Sequence, residues 1–138
     1  MDRLSDVIKW IGAGLTALIT YLFGGVDLAM GVLLTLITID YVTGVIAAII
    51  AKELSSEVGF KGIAKKVGTL IVVALAHLIG TYLNFDVLSW VIGYYIANEG
   101  ISVIENTGRM GVPYPDKLMQ ILKQLKKGDN DDNQTNSL

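Results

Sequence analysis

The chain has 138 residues, 52% of them hydrophobic and only 17% charged, with a mean hydropathy of +0.54 and a formal charge of -2. Ordinary soluble domains carry about 25% charged residues, so this composition points to a small integral membrane protein. With no cysteine and a single histidine, disulfides, thiolate nucleophiles and cysteine- or histidine-cluster metal sites are excluded, and neither a metal nor a cofactor is expected.

In chain order, MDRLSDVIKW leads into the apolar run Ile11 to Phe23. A basic start before a short apolar region is how a secretory signal begins, but no small-x-small cleavage site follows and the apolar character resumes after Asp27. The region reads as a first span over 7–23, with Lys9 snorkelling to the interface. Gly24 and Gly25 break it, and Asp27 suits the N-cap of a second span over 28–51. That second run holds one charged residue, Asp40, in 24. At 1.5 Å per residue it reaches about 36 Å, more than the roughly 30 Å of bilayer hydrocarbon.

The linker KELSSEVGFKGIAKK carries four lysines, Lys52, Lys61, Lys65 and Lys66, against two glutamates. Its Ser55, Ser56, Gly59 and Gly62 argue against one continuous helix, so a short interfacial segment is expected. A third span over 67–83 contains His77, and the turn Asn84-Phe85-Asp86 leads to a fourth over 87–104, the weakest of the set because polar residues begin at Asn98. Pro113 and Pro115 then interrupt any helix. Asp116 to Lys127 places Leu118, Ile121, Leu122 and Leu125 on one face with lysines opposite, Gly128 reads as its stop, and the remaining polar, acidic tail as disordered.

All eleven Lys and Arg fall before residue 10, between 52 and 66, or after 108, and the two short turns have none. The positive-inside rule then gives four spans in two hairpins with both termini cytoplasmic. The expected fold is therefore an all-α integral membrane protein. Residues 1–110 form its transmembrane domain, and 111–138 a cytoplasmic amphipathic helix and polar tail.

Chemistry can sit only on the polar residues of the spans. An ionisable group at bilayer depth should face protein or water. Asp40 shares a helix face with Thr43, Gly44, Ala47, Ala48 and Ala51, and Asn98, Ser102, Glu105 and Arg109 line a polar stripe on the fourth run. Counted from Lys52, Lys66 and Arg109, the residues Asp40, His77 and Glu99 lie 12, 11 and 10 positions in. That is about 18, 16 and 15 Å of helix, so the three form one predicted polar layer. Counted from the outer turns the agreement is poorer for His77. Gly44 with Ala48, Ala76 with Gly80, and Gly93 with Ala97 are small-xxx-small pairs suited to close helix approach. The plainer reading is that the polar groups only bond their neighbours and fix packing. No catalytic constellation is present: serines and threonines in the spans have no histidine at helical spacing, so an enzyme is not expected. The C-terminal lysines suit anionic lipid better than nucleic acid.

Taken together, Asp40-Tyr-Val-Thr43-Gly44, Lys52-Glu-Leu-Ser55-Ser56, Gly59-Phe-Lys61-Gly62 with Lys65-Lys66, Ala76-His77, Asn98-Glu99-Gly100-Ile-Ser102 with Glu105-Asn106, and Gly111-Val-Pro113-Tyr-Pro115 resemble the toxin-secretion and phage-lysis holin family over about residues 28 to 122. The chain departs at Gly80, where the resemblance implies an acidic residue three positions after the histidine. The resemblance further implies a protein of the bacterial cytoplasmic membrane that self-associates and opens timed lesions. Endolysin, or in some members a toxin, would leave as cargo rather than bind as a partner, and an antiholin would be a further partner. The competing reading is a small proton-coupled transporter, which also needs four short helices and a membrane carboxylate. A third is a membrane scaffold whose C-terminal helix recruits a cytoplasmic partner.

Overall fold

The computed structural model describes the backbone of residues 2–131 and the side chains of 2–127. Among the described residues it is all-helical: α1 (Asp2–Phe23), α2 (Leu28–Ile50), α3 (Ser56–Leu83), α4 (Leu88–Arg109) and α5 (Asp116–Asp131). Three of these, α1, α2 and α3, are long and apolar enough to cross a membrane. With 22 residues α4 has the length, but Asn98, Glu99, Glu105, Asn106 and Arg109 deny it the apolarity.

Local chemistry explains most boundaries. α1 begins at Asp2, five residues before the predicted span, with Lys9 reaching back to Asp6 at 3.7 Å. It ends at Gly24 and Gly25, whose φ values of +73° and +100° are left-handed. Asp27 caps α2 by accepting from the Met30 backbone N–H at 2.9 Å. Asp86 accepts from the Ser89 backbone N–H at 3.1 Å at the start of α4. Bonds from the Ser89 side chain and then its backbone hold the exposed Asp86 carboxyl below the usual carboxylate range.

The linker expectation is corrected. Residues 56–66 are the first turns of a 28-residue α3, about 42 Å long, rather than an interfacial break. Ser55 is its N-cap, accepting from the Val58 backbone N–H at 3.2 Å, and Lys61 pairs with Glu57 at 2.9 Å. The glycines serve packing instead of breaking the helix. A Cβ at Gly62 would lie 3.1 Å from the Tyr41 ring, and one at Gly59 3.8 Å from its hydroxyl. The predicted stop at Gly128 is also corrected, since the helical backbone runs on to Asp131; an interior glycine costs a helix only about 1 kcal/mol. The expected disordered tail beyond 131 lies outside the described residues.

Packing departs from two side-by-side hairpins. α2 lies chiefly against α4, α3 crosses both in the opposite direction, and α1 rests on α3 and on no other helix. α2 and α4 run the same way, because Met30 and Leu33 share a core cluster with Ile92 near their starts and Gly44 meets Asn106 near their ends. Met30, Leu33, Ile37, Val73 and Ile92 form the core. No residue of α1 is buried, and large side chains such as Leu28, Val42, Ile49, Ile71 and Leu75 stay exposed along α2 and α3. A bundle with so few apolar groups inside and so many outside suits a hydrocarbon surround.

Gly80 shows how tightly the α3–α4 turn is drawn. A Cβ there would come within 2.7 Å of the Phe85 carbonyl oxygen, so the acidic residue implied at this position has no room in this chain. Gly80→Ala is expected to destabilise the bundle by about 1–3 kcal/mol in detergent denaturation, as overpacking does. Gly93→Ala, where a Cβ meets nothing within 4 Å, should leave it unchanged or slightly more stable.

Candidate functional site

At the centre of the α2–α3–α4 bundle the Lys66 ammonium donates to Asp40 Oδ2 and to Glu99 Oε2 at once. The side chains are almost sealed, with 12% of Lys66, 9% of Asp40 and 1% of Glu99 exposed. Asn106 Nδ2 completes the cluster, donating to Asp40 Oδ1 at 2.9 Å and, at 3.2 Å, to the Asp40 carbonyl and Thr43 Oγ1. Thr43 in turn donates to the Ile39 carbonyl at 2.8 Å. Among the described residues no buried side-chain nitrogen or oxygen lacks a partner. Lys66 of α3 thus joins Asp40 of α2 to Glu99 of α4, and Asn106 of α4 braces Asp40. A cleft of about 260 Å³ runs from this cluster past Tyr41, Gly44 and Ser102 to the Arg109–Glu53 pair, joined at 3.2 Å at its rim.

The polar layer read from the sequence takes a different membership here. Asp40 and Glu99 are brought together, Thr43 joins through Asn106, and Ser102 lines the cleft. His77 is not among them. It lies at the other end of α3, where a Cβ on Gly24 would come within 2.8 Å of its ring. The count from the cytoplasmic side failed because Lys66 is ten residues inside α3 and marks no helix end. Asn98 points to α5, accepting from Lys126 Nζ at 2.9 Å, and Glu105 is exposed. Of the small residues, Ala48, Ala76, Gly80 and Ala97 are buried, Gly44 lies 3.4 Å from Asn106 at its Cβ position, and Gly93 faces open space. Of the basic residues, Lys52 ends α2 with φ at +57°, while Lys61 and Lys65 stay exposed.

The sequence reading set Lys66 among the cytoplasmic basic residues and Asn106 beside the polar stripe of the fourth run, and gave neither a place in a buried cluster. A signal for Lys66 was present: Lys66, Thr69, Val73, Ala76 and Gly80 follow a three-and-four spacing, and the last four are all buried. A lysine on that stripe faces the bundle. Asn106 follows Glu99 by seven residues, two turns along the same face of α4.

Nothing in the cluster resembles catalytic machinery. Its components are all side chains of one chain, mutually satisfied, and its effect is to tie three helices at a single depth. The arrangement defines a small helical protein with membrane-length apolar helices closed on a buried ionic cluster. Comparison with known proteins is specific: the bacteriophage holin family matches over residues 17–127, so the chain belongs to that family, which is not an enzymatic one. A probable holin of Bacillus phage phi105 is 38% identical over 113 residues, covering 80% of this chain and 82% of that protein. An uncharacterised 14.9 kDa protein of Clostridium perfringens is 40% identical over 131 residues, covering 91% and 97%, and a Listeria innocua protein is 43% identical over 132 residues, covering 92% and 94%. No solved structure matches the chain.

Removing one member of a buried ionic cluster costs more than replacing all of it, because the partners left behind are stranded. Lys66→Met should therefore lower stability by about 3–5 kcal/mol in detergent unfolding. Adding Asp40→Leu and Glu99→Met to it should recover most of the loss. A triple variant as unstable as the single one would mean that the carboxylates are not held by Lys66.

Proposed function

We propose that this chain is a holin that crosses the bacterial cytoplasmic membrane four times, with both termini in the cytoplasm. It self-associates there and opens timed lesions through which an endolysin, or a toxin, leaves. The observation that carries the reading is the Asp40–Lys66–Glu99 cluster, a charged group sealed inside an otherwise apolar bundle. Such a bundle can keep its charges satisfied within one copy while copies accumulate, then regroup so that the same charges face a water-filled lumen. Family membership supports it independently. An antiholin would act by stabilising the closed grouping.

Size makes self-association necessary. An endolysin of about 200 residues has a radius of gyration near 16 Å, hence a diameter of roughly 40 Å. The rim of such a hole is about 125 Å and, with helices about 10 Å across, takes on the order of a dozen lining helices, so many copies contribute.

Expression in a bacterium holding a signal-less cytoplasmic endolysin should give normal growth, then abrupt lysis, with crosslinked oligomers well beyond a tetramer. Steady growth with only proton-gradient-dependent solute uptake and nothing larger than a dimer would replace the holin reading by the transporter. Ion leakage without protein release would remove the large lesion. Asp40→Asn should keep insertion and shift lysis onset, because the amide keeps hydrogen bonding and drops the charge. For topology, single cysteines at Val26 and Phe85, both exposed in turns, should react with an impermeant thiol reagent from outside. One at the exposed Lys61 should not, and labelling there would overturn the four-span arrangement.

A further inference from the structure

The cleft beside the ionic cluster spans two depths. α2, α3 and α4 each have one end at the outer turns, and on the four-span reading about 30 Å from there is hydrocarbon. At 1.5 Å per residue, Asp40 is about 18 Å in from Leu28 and Glu99 about 17 Å in from Leu88. Lys65, counted from Leu83, is about 27 Å in, Arg109 is about 32 Å in from Leu88, and Glu53 lies beyond the end of α2. The inner end of the cleft is therefore in hydrocarbon, while its mouth, formed by Lys65, Arg109 and Glu53, is level with the phosphates of the cytoplasmic leaflet.

Lys65 and Lys66 are neighbours with different surroundings. The Lys66 ammonium turns inward to Asp40 and Glu99. Lys65 is exposed and, among the described residues, has no carboxylate partner. Arg109 is half-exposed and gives only Nη2 to Glu53, at 3.2 Å. Its fork of five N–H donors has room for phosphate oxygens as well. Two cations from two helices thus line one mouth with capacity for an anion. Val45, Ala48 and Val58 add apolar surface, and their helices, α2 and α3, make the thinnest contact in the bundle. At about 260 Å³ the cleft is smaller than the roughly 300–1,000 Å³ that encloses a whole drug-sized molecule. It takes a polar headgroup and leaves anything longer outside.

We infer that this mouth binds a phospholipid of the cytoplasmic leaflet whose headgroup joins one phosphodiester charge to free hydroxyls, as phosphatidylglycerol does. The phosphate takes Lys65 and Arg109, the glycerol hydroxyls donate to Glu53, and the acyl chains stay in the leaflet. Basic pockets between helices on the cytoplasmic side are where anionic headgroups bind. Glu53 selects against bare phosphate, which it repels, and for a headgroup that brings hydroxyl donors. A lipid seated here ties α3, α4 and the end of α2 on the cytoplasmic side of the cluster, so it favours the closed bundle. The inference rests on the four-span reading, which thiol labelling at Lys61 tests separately.

The test is thermal unfolding of the full chain in neutral detergent, titrated with dihexanoyl phosphatidylglycerol. Wild type should gain Tm saturably, while dihexanoyl phosphatidylcholine and glycerol phosphate at the same concentrations should leave Tm unchanged. Lys65→Gln and Arg109→Gln should each weaken the apparent affinity about five-fold, and Lys65→Arg should keep it. Lys123→Gln, which removes an exposed charge of α5 outside the cleft, should not alter it. Native mass spectrometry should find one phosphatidylglycerol retained per wild-type chain. Equal gain from phosphatidylcholine, affinity that ignores both glutamine variants, or no retained lipid would overturn the site. Equal gain from glycerol phosphate would overturn the lipid as its occupant. Each readout is binding rather than lysis, so any of these failures leaves the holin reading intact.

Discussion

One ammonium group shared by two carboxylates sets the geometry of this protein. Lys66 comes from α3, Asp40 from α2 and Glu99 from α4, so the three helices are fixed at one depth and one rotation. Apolar packing alone would not do this in a membrane, where lipid tails solvate a leucine as well as another helix does. A charge without its partner there is costly, which makes the register of the bundle much more specific than its small core, Met30, Leu33, Ile37, Val73 and Ile92, could make it. Asn106 extends the constraint by holding Asp40 from a second side, and Gly44 supplies the clearance that lets α4 approach.

The same economy explains which parts are loosely held. α1 has no buried residue and rests on α3 alone, and the His77–Gly24 contact ties its C-terminal end to the bundle. It is the element that can most readily exchange an intramolecular neighbour for one from another copy. α5, by contrast, packs closely along α4, with Leu122 on Gly100 and Lys126 on Asn98, and still leaves Leu118, Ile121 and Leu125 exposed. On the proposed function, assembly uses these exposed surfaces first and disturbs the ionic cluster last.

Much of this was legible in the sequence, where local signals agree with one another. The Gly24-Gly25 break, the Asp27 cap and the long second helix follow from residue chemistry and length alone, and the carboxylates Asp40 and Glu99 stand out against apolar surroundings. What was not legible depended on partners distant in the chain. Gly59 and Gly62 look like helix breakers until Tyr41 is known to lie against them. Lys66 looks like the basic edge of a loop because the start of α3 is hidden by those glycines. The failure of His77 to join the cluster follows from the same displaced boundary. The docking of α5 on Gly100, and of Tyr114 ahead of it on Gly108, rests on side chains whose meeting no periodicity announces.

The central claim is that the α2–α4 pairing around the ionic cluster is the closed state and must separate for the lesion to form. Leu33 of α2 and Ile92 of α4 are both buried in the same core and take no part in the ionic cluster, so a pair of cysteines there is a crosslink between the two helices that leaves the cluster's members in place. The direct measurement is release of an entrapped fluorescent protein from vesicles carrying the Leu33→Cys, Ile92→Cys variant, oxidised and then reduced. The account predicts no release while the link is closed and release once it is reduced. Equal release in both states would contradict it.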